Sequence, residues 1–175
     1  MDKDVFEPLT SAVPGSIASG GIGESGPTAR RRPDRPLGKR GVDLLAQVPL
    51  FEGLSRRHLK QIAEHADEVS FRENETIIEA DRPGGTFFVI VEGEVKVVRG
   101  NRVVARAGPG EFFGEISLLD GGPRTASVVA ASPVIAVRLF KASFDKVVTQ
   151  EPKVASKILA VVARRLREAE RTISS

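Results

Sequence analysis

The chain of 175 residues is 41% hydrophobic and 28% charged, proportions typical of a globular protein with room for one domain and its appendages. Its net charge is +3. Residues 1–40 contribute +2, from seven Lys/Arg and five Asp/Glu, and residues 41–175 contribute +1, from nineteen Lys/Arg and eighteen Asp/Glu. These totals predict no strongly basic surface for DNA binding. The sequence has no cysteine, no apolar run of about 18 residues and no signal-like apolar start, which excludes disulfides and thiol chemistry and predicts a cytoplasmic protein without a membrane span.

Residues 1–40 predict a disordered tail, and residues 41–175 predict the folded domain. The tail contains six Gly, five Pro and four Ser, so it cannot bury enough apolar surface to offset its ordering entropy. Its GIGESG run matches the G-x-G-x-x-G dinucleotide pattern, but no predicted strand precedes it and Pro27 follows it, so we interpret the match as accidental. The run ARRRPDRPLGKR indicates a solvated linker, with electrostatic contact to RNA, DNA, acidic lipid or an acidic protein as the alternative.

Predicted helices lie at both ends of the domain, and short strands lie between them. VDLLAQVPLF predicts a short helix ending near Pro49, and Ser55 suits the N-cap of the next helix, SRRHLKQIAEHA. KASFDKVV predicts another helix, and Pro152 suits the first position of the last one. The β-prone runs between them are ETIIEA, TFFVIV, EVKVV, RVVARA, ASVVAA and VIAVRLF. Short strands with frequent turns predict an antiparallel sandwich or barrel, and with the helices an α+β fold.

The last predicted helix, which begins at Pro152, carries an apolar stripe. The stripe consists of Ala155, Ile158, Leu159, Val162 and Leu166. Residues at this helical spacing share one face. That face can pack on the β domain, on a ligand or on a second copy of the chain, and the sequence leaves these alternatives open.

The sequence offers little material for catalysis. Its two histidines, His58 and His65, both lie in the helix before the strands, where we expect surface or edge positions. A metal site would need clustered histidines with carboxylates, and a nucleophilic serine would need a nearby histidine as general base. We therefore expect no enzyme, no catalytic residue, no metal and no cofactor.

One acid and one base stand out in the apolar segment FFGEISLLDGGPRTASVV. Gly114 permits a bend before a single helical turn that begins at Glu115, and the first N–H groups of such a turn favour an anion. Arg124 follows the Gly-Gly-Pro turn, where it can bind the same anion bidentately. An ionised Glu115 only accepts hydrogen bonds, so the ligand indicated is a phosphate beside a sugar hydroxyl. The alternative is a surface salt bridge between Glu115 and Arg124.

Residues from about 45 to 171 resemble the cyclic-nucleotide-binding domain family, which includes the catabolite activator protein, the regulatory subunit of protein kinase A and the cyclic-nucleotide-gated channels. FGEISLLDGGPRTASV resembles the family's phosphate-binding cassette, FFVIVEGEVKVV its preceding hairpin, and VPLFEGLS and VARRL its entry and lid helices. The resemblance implies an antiparallel β-roll (a double-stranded β-helix, jelly-roll-like) flanked by N-terminal helices and by C-terminal B and C helices, the C helix being the lid. One departure is Ala80, where the family usually has glycine.

The resemblance also implies roles for individual residues. Arg124 would pair with the cyclic phosphate, and Glu115 would accept a hydrogen bond from the ribose 2′-hydroxyl. The implied phosphate-binding residues are Arg124, Thr125 and Ala126, the ribose-binding residues are Gly114, Glu115, Ile116 and Ser117, and the residues lining the base pocket are Phe113, Pro123, Arg164 and Arg167. Among the arginines of the last helix, Arg164, Arg165 and Arg167 are candidates for capping the purine by cation–π stacking, with solvated positions as the alternative.

The implied function is the binding of a 3′,5′-cyclic nucleotide by a stand-alone, bacterial-type sensor. We expect cyclic AMP over cyclic GMP, although relatives with Thr or Ser at the position of Thr125 bind either one. The sequence ends at Ser175 without a further domain, so we expect signalling by closure of the lid helix, as a population shift, toward a protein effector or a homodimer formed by that helix. We expect no DNA binding. The alternative is an interaction or scaffold domain of the same fold that binds no nucleotide in the cell.

Overall fold

The computed structural model describes residues 34–38 and 40–174, so the predicted disorder of residues 1–33, with the GIGESG run, lies outside the described residues. The helices are α1 (Arg40–Ala46), α2 (Arg56–Glu64), α3 (Glu115–Asp120), α4 (Lys141–Gln150) and α5 (Pro152–Ile173), with a 3-10 turn at Pro49–Phe51. The strands are β1 (Arg35–Pro36), β2 (Ala66–Phe71), β3 (Thr76–Ile78), β4 (Thr86–Glu92), β5 (Val95–Arg99), β6 (Arg102–Ala107), β7 (Phe112–Phe113), β8 (Ser127–Ala130) and β9 (Val134–Phe140).

The described strands form two antiparallel sheets that pack against each other as a roll. The first sheet has the strand order β1-β2-β9-β4-β7, and the second has the order β3-β8-β5-β6. One apolar cluster fills the space between the sheets, and a second lies between the first sheet and the helices. The predicted α+β fold, an antiparallel β-roll with helices at both ends, is confirmed.

The interior strand β4, between β9 and β7 in the first sheet, is buried on both faces. Phe87 and Val89 belong to the cluster under the helices, whereas Phe88 and Ile90 belong to the cluster between the sheets. Successive side chains of a strand point to opposite faces, so a strand covered on both sides is continuously apolar rather than alternating. This explains the apolar run TFFVIV.

The first sheet begins earlier in the chain than the predicted domain boundary at residue 41. Arg35–Pro36 pairs with β2, the Leu37 amide donates to the carbonyl of Ala66 at 3.0 Å, and Leu37 is buried. Residues 34–38 thus lie in the fold, where we predicted tail. The structure also contains β2, which was not predicted: the predicted helix SRRHLKQIAEHA runs through Ala66, whereas α2 ends at Glu64 and β2 begins at Ala66.

The acidic residues of β2 explain why its sequence ADEVSF did not read as a strand of a packed sheet. Asp67 pairs with Arg138 of β9 at 2.9 Å, and Glu68 pairs with Arg35 of β1 at 2.7 Å. Both carboxylates are therefore satisfied by neighbouring strands, a pairing that depends on tertiary structure and has no local sequence signal.

Of three helix ends predicted from the sequence, the starts of α2 and α5 agree with the structure and the end of α1 does not. The Ser55 hydroxyl accepts from the amide of His58, which confirms the predicted N-cap, and Pro152 begins α5 as predicted. The first helix ends at Ala46 rather than near Pro49, because proline lacks an N–H and disfavours a helical residue before it. Among the helices of residues 34–38 and 40–174, none could span a lipid bilayer.

Candidate functional site

Gly114 is the bend between β7 and α3. Its φ of 92° lies in the left-handed region, and a Cβ atom at this position would stand 2.7 Å from the carbonyl oxygen of Thr86. Both facts require glycine here. The predicted helical turn is confirmed as α3, whose first-turn amides have no side-chain cap. The segment from Gly114 to Ala126 is called the cassette below.

Arg124 lies beneath the start of α3 and is only 6% exposed. Its Nη1 donates to the carbonyl of Gly114 at 2.9 Å, and its Nη2 donates to the carbonyl and the hydroxyl of Thr86 at 2.7 and 3.0 Å. Burial lowers the pKa of the Arg124 guanidinium, an effect that the nearby carboxylate of Glu115 opposes. An arginine nonetheless keeps its charge in a folded protein. The three acceptors occupy three of its five N–H donors and hold the cation in one orientation.

Glu115 is the first residue of α3 and is 1% exposed. Its Oε1 accepts from Nη1 of Arg165, a residue of α5. Arg165 also donates to the carbonyl of Phe112 at 2.6 Å, and its guanidinium lies 5.4 Å from the centroid of the Phe112 ring. The alternative of a surface Glu115–Arg124 salt bridge is therefore wrong, because both side chains are buried and the ion pair of Glu115 is with α5.

The other predicted phosphate and ribose residues line the cassette with different exposures. Ser117 and Ala126 are buried, Ile116 and Gly114 are half-buried, and Thr125 is exposed. Ser117 and Arg124 both lie close to Gly84. A Cβ atom at Gly84 would collide with the Ser117 side chain and would stand 2.9 Å from Nε of Arg124. The structure thus brings α3, Arg124 and the Gly84 turn to one small space.

The predicted base-pocket residues are more scattered. Pro123 is exposed and forms an isolated antiparallel β-bridge with Pro83. Phe113 is buried in the cluster between the sheets, where its ring stacks on Phe88 with centroids 5.1 Å apart. Phe113 therefore supports the cassette from the core.

The arginine of α5 that enters the site is Arg165, whereas the predicted pocket residues Arg164 and Arg167 are exposed. Arg165 stands seven residues after the buried Ile158, so it continues the helix face that packs on the domain. The spacing from Ile158 is the sequence signal that places Arg165 on the packed face of the helix once Ile158 is known to be buried. The sequence analysis named it only among the helix's candidate caps, outside the predicted pocket.

The departure at Ala80 is accommodated without strain at that residue. Its amide donates to the hydroxyl of Ser127 at 2.9 Å, and the left-handed conformation of the turn falls on Asp81, with φ of 64°. The turn also fixes the backbone of Arg124: the Asp81 amide donates to the Arg124 carbonyl and the Arg124 amide donates to the Arg82 carbonyl, both at 2.9 Å. Aspartate is one of the residues that tolerate this conformation.

The described residues, 34–38 and 40–174, include no group of three or more His, Cys, Asp or Glu side chains that could hold a metal ion. His58 instead contacts Glu151, Nδ1 to Oε1 at 2.7 Å, and its side chain is 44% exposed. His65 is exposed at the end of α2.

Comparison with known proteins covers the region that contains this site. The family model described as cyclic nucleotide-binding domain matches residues 68–151. A CRP-like cAMP-activated global transcriptional regulator of Mycobacterium tuberculosis is 27% identical over 137 residues, which are 75% of this chain and 61% of that protein. The cyclic AMP receptor protein of Thermus thermophilus is 33% identical over 127 residues, 70% of this chain and 59% of that protein. The chain covers less than two thirds of each of these relatives.

A solved structure resembles three quarters of the chain. The N-terminal domain of a transcriptional regulator from Streptomyces coelicolor has a TM-score of 0.56 and 32% identity, and the match covers 75% of this chain and 95% of that chain. The region matched by the family model contains the complete cassette with Glu115 and Arg124. The chain belongs to the cyclic nucleotide-binding domain family.

Proposed function

We propose that this chain binds a 3′,5′-cyclic nucleotide in the cassette, cyclic AMP in preference to cyclic GMP, and that it acts without catalysis. The observation that carries the proposal is the buried Arg124 guanidinium, held by three acceptors beside the uncapped start of α3. A fixed cation of this kind needs no reorganisation to receive an anion. The names of the two relatives support cyclic AMP as the ligand.

The phosphate would interact with Arg124 and with the first amides of α3. Two guanidinium N–H donors remain after the contacts to Gly114 and Thr86, one on Nε and one on Nη1, and charged donors of this kind form strong hydrogen bonds to phosphate oxygens. The N–H groups at the start of a helix carry partial positive charge, so they add attraction for the same oxygens. Together they favour a compact monoanion such as a cyclic phosphate diester.

Glu115 would accept a hydrogen bond from the ribose 2′-hydroxyl. A buried carboxylate beside a phosphate is repulsive unless a cation neutralises it, and Arg165 is that cation. One carboxylate oxygen contacts Arg165, so the other can accept the hydroxyl. The pair explains how an acid can stand next to an anion site.

Through the same carboxylate, α5 would respond to the ligand. Two acceptors hold Arg165, the Glu115 carboxylate in the cassette and the Phe112 carbonyl in β7. A change in the surroundings of Glu115 therefore alters how stably α5 is held against the cassette. If the nucleotide binds the conformation with α5 against the cassette more tightly than the conformation with α5 released, it increases the population of the first conformation. We propose this shift as the signal of a regulatory domain.

A protein partner on α5 is favoured by its exposed apolar side chains. Leu159, Leu166 and Ile173 are 61%, 59% and 85% exposed and stand seven residues apart. This repeat is typical of a helix that pairs with another helix. We propose a homodimer through α5, with a protein effector as the alternative occupant.

Isothermal titration calorimetry with cyclic AMP, cyclic GMP and 5′-AMP tests the proposed function. We expect saturable heat with cyclic AMP, weaker binding of cyclic GMP and none of 5′-AMP. Arg124→Ala should weaken binding by about 2–5 kcal/mol, because it removes a desolvated cation from the anion. Arg56→Ala, an exposed arginine on α2, is the control and should bind as wild type.

The melting temperature of each variant shows whether it is folded. Arg124→Lys keeps the charge but cannot make all the contacts of the planar guanidinium to Gly114, Thr86 and the anion, and we expect intermediate affinity from it. If wild type gives no heat with either cyclic nucleotide, the nucleotide function is wrong and the interaction-domain alternative is favoured.

A further inference from the structure

The hairpin of β5 and β6, residues 95–107, concentrates positive charge. It contains Lys96, Arg99, Arg102 and Arg106 and no acidic residue. The rest of residues 41–175 then has fifteen Lys/Arg against eighteen Asp/Glu, so the near-neutral total conceals a cationic hairpin on an otherwise acidic domain. We call residues 95–107 the basic hairpin.

The register of the basic hairpin sets like charges against each other. Lys96 stands opposite Arg106, and Arg99 stands opposite Arg102. Like charges directly opposite on neighbouring strands destabilise a sheet. In the described part of the chain, the one acidic partner of this set is Glu94, which contacts Arg106 at 3.1 Å with both side chains half exposed or more. Folding stability therefore does not account for the other three cations.

Two exposed valines lie among these cations. Val103 and Val104 are 52% and 51% exposed on β6, the edge strand of the second sheet. A register shift in the pairing of β5 with β6 leaves Val104 without an opposite residue. A bulge at an edge disfavours the addition of a further strand, so pairing with a peptide does not explain the exposed valines.

We propose that the basic hairpin is a docking surface for an anionic lipid bilayer. Its cations would contact headgroup phosphates and carboxylates, and Val103 and Val104 would enter the boundary between headgroups and acyl chains, where apolar side chains gain free energy. Duplex DNA is the rival polyanion. DNA would use the cations alone, because aliphatic side chains add little to contacts with phosphates in water.

Co-sedimentation of the full chain with vesicles of phosphatidylcholine, with and without phosphatidylserine, tests the proposal. We expect binding only when phosphatidylserine is present, weakened by salt. Each Lys or Arg near an anionic membrane surface raises the partition coefficient by a factor of about five. Arg99→Gln/Arg102→Gln removes two of them and should lower the partition coefficient roughly 25-fold. Val103→Ser/Val104→Ser should lower it as well, without changing the salt dependence.

The matched control is Arg56→Gln/Arg57→Gln, which removes the same charge from α2 and should leave vesicle binding unchanged. All variants change exposed side chains, so each should stay folded and bind nucleotide as wild type does. Arg99→Gln/Arg102→Gln should melt no lower than wild type, because it removes a pair of like charges that face each other. Three results would overturn the proposal: an equal loss in the α2 variant, no effect of the valine substitutions, or hairpin-dependent binding of duplex DNA without binding to vesicles. None of them bears on the nucleotide site.

Discussion

At the residue scale, two buried charges in the cassette are satisfied in different ways. Arg124 donates to backbone and hydroxyl oxygens, whereas Glu115 depends on an arginine from a helix 50 residues later in the chain. A buried charge is tolerated only when it is paired and hydrogen-bonded. Arg124 is therefore oriented by the cassette residue Gly114 and by Thr86 of β4, whereas the environment of Glu115 depends on where α5 lies.

Gly84 and Gly85 provide a matched pair of substitutions at this scale. In Gly84→Ala the new methyl group would collide with Ser117 and press on Nε of Arg124, whereas at Gly85 nothing lies within 4 Å of the added atom. We expect Gly84→Ala to weaken cyclic nucleotide binding by about 1.5–3 kcal/mol, the free energy of one charged hydrogen bond, and Gly85→Ala to bind as wild type. Calorimetry measures both. Equal affinities would show that the Gly84 turn does not position Arg124.

The cassette was predictable from sequence because its signals are local. Gly114, the short helix and the arginine after the Gly-Gly-Pro turn all lie within one segment, and each has a conformational reason. The pairing of Glu115 with Arg165 joins distant parts of the chain and has no such signal. Only the spacing of Arg165 from the buried Ile158 pointed to it, and helical spacing alone did not distinguish the buried stripe from the exposed one.

At the element scale, α5 is attached at three points along its length. At its start Glu151 pairs with His58 of α2 at 2.7 Å, and Nζ of Lys157 donates to the carbonyl of Pro49 at 2.7 Å. Further along, Arg165 contacts Glu115. The first two contacts fix the helix to the N-terminal elements, and the third is made to the proposed nucleotide site. The Arg165 contact is thus the one that a ligand would change.

Arg165→Ala tests this coupling, with its exposed neighbour Arg164→Ala as the control. Removing Arg165 leaves the buried Glu115 without its cation, and we expect a loss of about 1–3 kcal/mol of unfolding free energy, less than for a fully buried pair because Arg165 is partly exposed. Nucleotide affinity should fall too, since the phosphate then meets an uncompensated carboxylate. Urea unfolding and calorimetry check both effects. If Arg165→Ala matches Arg164→Ala in both measurements, the contact has no role.

At the scale of the whole molecule, the exposed apolar side chains of α5 indicate how two chains meet. Leu159, Leu166 and Ile173 repeat every seven residues, and Val162 and Ala169 lie three residues after the first two. This is the a and d pattern of a two-stranded coiled coil. The sequence analysis left the partner of the helix open because its stripe mixed buried Ile158 with exposed Leu159.

Sedimentation velocity measures the assembly. We expect a dimer that dissociates on dilution, because a pairing of this length buries a modest apolar area. Leu166→Glu places a charge in the apolar repeat and should give a monomer, whereas Arg167→Gln, which changes the net charge by the same amount, should remain dimeric. A wild-type monomer at all concentrations would favour an effector protein on α5 instead.

The most direct test of the account is whether Glu115 meets the ribose hydroxyl of a bound cyclic nucleotide. Cyclic AMP and its 2′-deoxy analogue are titrated calorimetrically into wild type and Glu115→Gln. A hydrogen bond to a charged acceptor contributes about 1.5–3 kcal/mol, so wild type should bind the deoxy analogue roughly 10- to 150-fold more weakly, and Glu115→Gln should show a much smaller difference between the two ligands. An equal difference in both proteins would contradict the assignment of Glu115, and no binding of cyclic AMP to wild type would contradict the account as a whole.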